Sequence, residues 1–129
     1  MHSAAHAYAK IAQATQSPRE LEATVLMKAA SRLQGIMDDW DGRRSDLDDA
    51  LTYNRKLWTV LVTSVTREDN PLPVEIKRNI TTLGMFIFNR TIQLTVEPKA
   101  EGIRPLVRIN REIAAGLRGM GTDQAPASA

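Results

Sequence analysis

Six aspartates (Asp38, Asp39, Asp41, Asp46, Asp48 and Asp49) crowd one stretch of the chain, and His2 and His6 stand four residues apart near its start. No other side chains come as close to metal or acid–base chemistry. Two histidines at i and i+4 on a helix can share a metal ion, but no acidic third ligand lies near this pair. The aspartates lack the alternating ligand positions and closing glutamate of a calcium loop, and Arg43 and Arg44 sit among them. A solvated turn with helix-end electrostatics accounts for them more simply. Nucleophilic chemistry fares no better. There is no cysteine, no serine lies in a G-x-S-x-G setting, and both histidines fall within the first six residues, so a serine triad would lack its base. Neither G-x-G-x-x-G nor G-x-x-x-x-G-K-[ST] can be read anywhere. The residues point away from an enzyme, and no metal or other cofactor is expected.

Two other sets of polar residues invite a binding role. Arg104, Arg108 and Arg111 follow one another at i+4 and i+3, so they share a helix face that could hold RNA phosphates. The solvent face of an amphipathic helix explains the same spacing, Glu101 and Glu112 lie among the arginines, and no exposed aromatics accompany them for base stacking. Direct nucleic-acid binding is therefore the weaker reading. The pairs Asn54-Arg55, Asn89-Arg90 and Asn110-Arg111 say more. Asn54 falls between Leu51 and Trp58, and Asn110 between Leu106 and Ile113, both on apolar stripes. A buried amide must find hydrogen-bond partners. Either Asn54 and Asn110 satisfy each other and set helix register, or they and Arg55 and Arg111 meet a bound peptide.

Five segments must position these residues. Ser17-Pro18-Arg19-Glu20 combines a capping hydroxyl, a proline at the first helical position and a capping-box glutamate. Behind it Leu21, Val25, Ala29, Leu33, Ile36 and Trp40 form a helical stripe, ended by the turn dipeptide Asp41-Gly42. Ser45 is expected to cap a second helix, with acidic residues in its first turn and a stripe through Leu47, Leu51, Trp58, Leu61, Val62 and Val65. Pro71-Leu72-Pro73 interrupts the chain, and a third helix runs from about Val74 to about Val96. Leu83, Met85, Phe86, Ile87 and Phe88 make it apolar nearly all round, so it is either central in a bundle or covered by a partner. A fourth helix, about Ile103 to Leu117, should end at Gly116 and Gly119. No segment alternates with period two, so no strand is expected. The expected fold is all-α, a bundle of about four long helices over residues 17–118. A weakly held helix over 1–16 precedes it, and a flexible tail over 119–129 follows.

Composition narrows the class. With 129 residues the chain is about one domain. Hydrophobic residues make up 43% and aromatics only 5%, so the core must be aliphatic. A net charge of +2 is too small to imply nucleic acid. No apolar run reaches the roughly 18 residues of a membrane span, and no signal peptide is visible at the N-terminus.

Several of these blocks together resemble a known family. They are Ser17-Pro18-Arg19-Glu20-Leu21-Glu22, Ala50-Leu51-Thr52-Tyr53-Asn54-Arg55-Lys56-Leu57-Trp58, Leu72-Pro73, and Ile109-Asn110-Arg111-Glu112-Ile113 with Gly116-Leu117. Together with Tyr8 they resemble the FlaF family of flagellar biosynthesis regulators over about Ala7 to Leu117. The Asn-Arg-Lys-Leu-Trp block is the most specific part. The resemblance implies a cytoplasmic, alphaproteobacterial protein needed for flagellin synthesis and export. It further implies a flagellin-binding, chaperone-like role alongside FlbT, with no catalytic residues. Flagellin's terminal segments become amphipathic helices only in the filament, and a bundle with a spare apolar groove can hold such a helix. The expected groove is Met85, Phe86 and Phe88, bordered by Tyr53 or Trp58. Core packing is the competing reading, strongest for Trp58.

Overall fold

The computed structural model describes the backbone of residues 17–127 and the side chains of residues 17–120. The helix expected over residues 1–16 lies outside the described residues. Four long helices carry the fold: α1 (Pro18–Asp38), α2 (Leu47–Val65), α3 (Val74–Val96) and α4 (Ala100–Ala127). No strand occurs among the described residues. Each helix packs on its neighbours in a ring, α1 against α2, α2 against α3, α3 against α4, and α4 back against α1. The fold is the all-α bundle that the sequence suggests.

Helix α1 starts as its sequence dictates. The Ser17 hydroxyl accepts a hydrogen bond from the Glu20 amide at 3.0 Å, and Pro18 occupies the first turn, where its missing N–H costs nothing. Its buried face is Ala23, Leu26, Ala29, Ala30, Leu33 and Ile36. Leu21, expected on that stripe, is exposed, and Val25 is half-buried. Small residues replace them because α1 and α4 form the most extensively packed pair. Ala23 and Ala30 on α1 and Ala114 on α4 are all fully buried, and short side chains at such a contact let two helices approach closely. Arg118 on α4 reaches back to α1, with Nε 3.1 Å from Glu20 Oε1 and Nη2 3.4 Å from Thr24 Oγ1.

Between α1 and α2 the sequence misleads in two places. The break falls at Asp39, and Trp40–Arg43, including Gly42, forms a further helical turn. Ser45 does not cap α2. It lies in a 3-10 turn, Arg44–Asp46, that feeds directly into Leu47. Asp46 holds the cap position without a side-chain bond, while Asp48 and Asp49 occupy the first turn, where the helix dipole favours them. A continuous helical path lets Leu47 reach the core one residue into the helix.

The α2–α3 connection is pinned by Asn70. Its Oδ1 accepts from the Leu72 amide at 3.0 Å, and its Nδ2 donates to Ser64 Oγ at 3.1 Å. Leu72 is thereby tucked into the core, and Pro73 stands at the cap position of α3. On α3 the buried face is Ile80, Gly84, Ile87, Thr91 and Leu94. Thr91 satisfies its hydroxyl by donating to the Ile87 carbonyl at 2.7 Å. Gly84 marks close contact with α2: a Cβ there would stand 2.5 Å from Val62 Cγ2.

Helix α4 is longer than its sequence suggests. It starts at Ala100 and continues through Gly116 and Gly119 to Ala127, so the tail expected from residue 119 is helical as far as that residue. Glycine in a helix costs about 1 kcal/mol relative to alanine. The cost lowers stability without forcing a stop.

Candidate functional site

Asn54, Trp58 and Asn110, from α2 and α4, meet in the core, and all three are fully buried. Trp58 Nε1–H donates to Asn110 Oδ1 at 2.8 Å. An indole can only donate, so this bond fixes the orientation of the Asn110 amide. Asn110 Nδ2 then donates in two directions, to Asn54 Oδ1 at 2.8 Å and to the Leu26 carbonyl of α1 at 3.3 Å. The chain of bonds leaves Asn54 Nδ2 buried without a partner. Three helices are thus tied together by one amide. Asn110 donates to Asn54 in the core, as in the first of the two readings of their position, but Asn54 Nδ2 is left over. Trp58, expected at the border of a groove, offers no surface to a partner.

The surface of α3 is where apolar side chains turn outward. Met85, Ile92 and Val96 are 56%, 62% and 81% exposed, and Val74 is exposed as well. Separations of 11, 7 and 4 residues bring all four close to whole helical turns, so they line one stripe. Phe88 lies along the inner edge of that stripe and packs against the core. Phe86 sits about 100° around the helix from Met85, on the flank toward α4. Arg90 lies over its ring at 5.2 Å from the centroid and donates from Nη1 to the Gly102 carbonyl at 3.3 Å. Met85 and Phe88 therefore share a face and Phe86 does not. Tyr53 is half-exposed, on the side of α2 turned away from α3, so it does not border the stripe.

Arg55 does reach this neighbourhood. With Leu51 and Thr52 of α2 and Thr91, Ile92, Thr95 and Val96 of α3 it lines a hollow of about 220 Å³ beside the stripe. Ile92 and Val96 are residues that sequence reasoning missed. The signal was present: they follow Met85 at i+7 and i+11, the recurrence of a second apolar face.

The arginine face is placed as its spacing requires. Arg104, Arg108 and Arg111 are exposed on α4. They line a broad depression together with Asp38, Glu101 and Glu112, so acids interrupt the basic surface. Asn89 is exposed. Between α3 and α4 lies one more apolar feature, a groove of about 310 Å³ walled by Ile76, Ile80 and Leu83 on α3 and Ile113, Leu117 and Met120 on α4. No group of three or more metal-ligating side chains occurs among the described residues. No helix among them is long and apolar enough to cross a membrane.

The fold and these surfaces define a small helical bundle with a polar knot in its core and apolar residues turned outward on α3. The family model for flagellar protein FlaF matches residues 4–117, and the chain belongs to that family. Comparison with curated proteins and with solved structures gave no match.

Proposed function

We propose that the protein is a non-enzymatic flagellin-binding chaperone and regulator in the cytoplasm, needed for flagellin synthesis and export and working alongside FlbT. Membership of the FlaF family supports a flagellar role. The observation that supports a binding role is the outward stripe of Met85, Ile92 and Val96. The hydrophobic effect favours covering such a stripe, and an amphipathic helix with anchors at i, i+3, i+4 and i+7 is the partner whose periodicity matches it. Arg55 beside Ile92 and Val96 would pair with an acid on the bound helix and set its direction.

The experiment is a pull-down of purified flagellin by the wild-type protein and by Met85→Asp and Ile92→Asp, each with and without RNase. Loss of flagellin in both variants, with unchanged melting by circular dichroism, is the expected result. Undiminished retention by both would remove the stripe from the site. The RNA reading, with Arg104, Arg108 and Arg111 as contacts, predicts RNA binding with a steep salt dependence and no flagellin retention.

A further inference from the structure

We propose that the outer stripe of α3 takes an acidic amphipathic helix, with carboxylates that meet Lys77 and Arg78 at one end of the stripe and Arg55 at the other. The inference rests on the reading of this stripe as a docking face and adds the charge pattern its partner must carry.

The stripe has a hollow at each end. One, of about 290 Å³, lies beside Val74 and is lined by Lys77, Arg78, Thr81 and Thr82. The other is the hollow of about 220 Å³ where Arg55 of α2 stands beside Ile92 and Val96. Among the described residues no carboxylate lines either hollow. Exposed Met85 stands between them. Ile92 follows Lys77 by 15 residues, about 22 Å along the helix.

The chain keeps its own acids away from these three cations. Among the described residues, Arg55, Lys77 and Arg78 pair with no carboxylate. Just outside α3, by contrast, Arg67 pairs with Asp69 at 3.1 Å and Lys99 with Glu97 at 3.2 Å. Glu75 is the acid within α3, and it lies about 100° around the helix from Val74, on the flank toward α4. The arginine face of α4 differs, because Asp38, Glu101 and Glu112 share its depression and neutralise it from within. On the α3 stripe, apolar anchors stand with cations left for a partner to neutralise.

The spacing identifies that partner as a helix. Apolar positions lie between the two cationic ends, so the ligand needs an apolar centre with carboxylates outside it. Four helical turns return a side chain to the same face after 14 or 15 residues, about 22 Å, and anchors at i, i+3, i+4 and i+7 fill the interval. A nucleic-acid backbone, charged throughout its length, would instead set phosphates against Met85 and Ile92. Charges at the rim of such a contact steer association and reject wrongly charged partners.

Two alanine-rich helical peptides of about 20 residues test the pattern on the full-length protein. Both carry the same leucine stripe; one has glutamate at each end of it, four turns apart, and the other has lysine at those two positions. Fluorescence anisotropy at low salt should show the glutamate peptide binding at least about 10-fold tighter, with the gap closing as salt rises. Lys77→Glu/Arg78→Glu and Arg55→Glu should each lower that preference, and the three substitutions together should reverse it. Arg104→Glu/Arg108→Glu changes the net charge as much as the first variant and should leave the preference intact. Circular dichroism of each variant confirms that folded protein is compared. Equal binding of the two peptides, binding of neither, or a preference that responds to Arg104 and Arg108 as much as to Lys77 and Arg78 would each overturn the proposal. Purified flagellin run alongside keeps the two conclusions apart. Flagellin retention abolished by Met85→Asp, with no preference between the peptides, removes the charge pattern and leaves the chaperone reading. A peptide preference that follows Lys77, Arg78 and Arg55, with no flagellin retained, does the reverse.

Discussion

Deleting the Asn110 side chain and deleting the Asn54 side chain should differ sharply in cost, although the two are the same residue type at equally buried sites. Cavity and transfer contributions to Asn110→Ala and Asn54→Ala cancel to first order. The difference therefore reports the partners left behind. Asn110→Ala strands Trp58 Nε1–H and Asn54 Oδ1, both of which bond only to Asn110, and Asn54 Nδ2 stays unpartnered. Each stranded buried group costs about 1–3 kcal/mol. Asn54→Ala strands one hydrogen of Asn110 Nδ2, which still donates to the Leu26 carbonyl, and it removes the existing orphan. These two changes offset each other. Asn110→Ala should thus be less stable than Asn54→Ala by at least about 2 kcal/mol, or about 8 °C in melting temperature for a domain of this size. Urea unfolding followed by far-ultraviolet circular dichroism measures the difference, with equal m-values required for the comparison. A gap below about 1 kcal/mol, or the reverse order, would refute the assignment of Asn110 as the hub.

Other substitutions test the packing and the surface separately. Gly84→Ala should destabilise by about 1–3 kcal/mol despite its better helix propensity, because the new methyl meets Val62. Most of that loss should return in Gly84→Ala/Val62→Ala, read by thermal melting. Ser17→Ala removes the bond to the Glu20 amide and should cost about 1 kcal/mol, seen as a fall of a few degrees in the same assay. Phe88→Asp should unfold or strongly destabilise the bundle because Phe88 packs on the core. Met85→Asp, on an exposed side chain, should change stability by no more than about 0.5 kcal/mol.

Periodicity and punctuation in the sequence locate the helices where local chemistry decides them. Ser17-Pro18 starts α1, and Pro73 and Glu97 bound α3 as their backbone constraints require. The α1 stripe was less legible, since the alanines that line the α1–α4 contact carry little hydrophobic signal and acquire their role only from the partner helix. Ser45 and Gly119 show the opposite failure. Each is a strong local signal, overridden because a continuous helical path positions Leu47 in one case and extends α4 in the other. The burial of Asn54 and Asn110 was legible from their places on apolar stripes. That Trp58 joins them was not, because only the fold brings positions 58 and 110 within 2.8 Å.

The distribution of packing explains why an apolar surface can persist on α3 without cost to the fold. α1 and α4 form the tightest pair, and the Asn110 amide ties both to α2. The core polar knot thus fixes three helices, and α3 contributes no side chain to it. What holds α3 is apolar contact on its inner face, Ile80, Ile87 and Leu94, together with the close approach at Gly84. Its outer positions carry no such duty, so Met85, Ile92 and Val96 could be polar without loss of stability. A surface with no structural reason to be apolar, spaced as one helical stripe, is what the proposed docking of an amphipathic helix requires. Double replacement of Ile92 and Val96 by serine should therefore leave the unfolding midpoint within about 0.5 kcal/mol of the wild type, while flagellin retention falls. A large loss of stability would instead make these two side chains part of the fold and withdraw them from the binding surface.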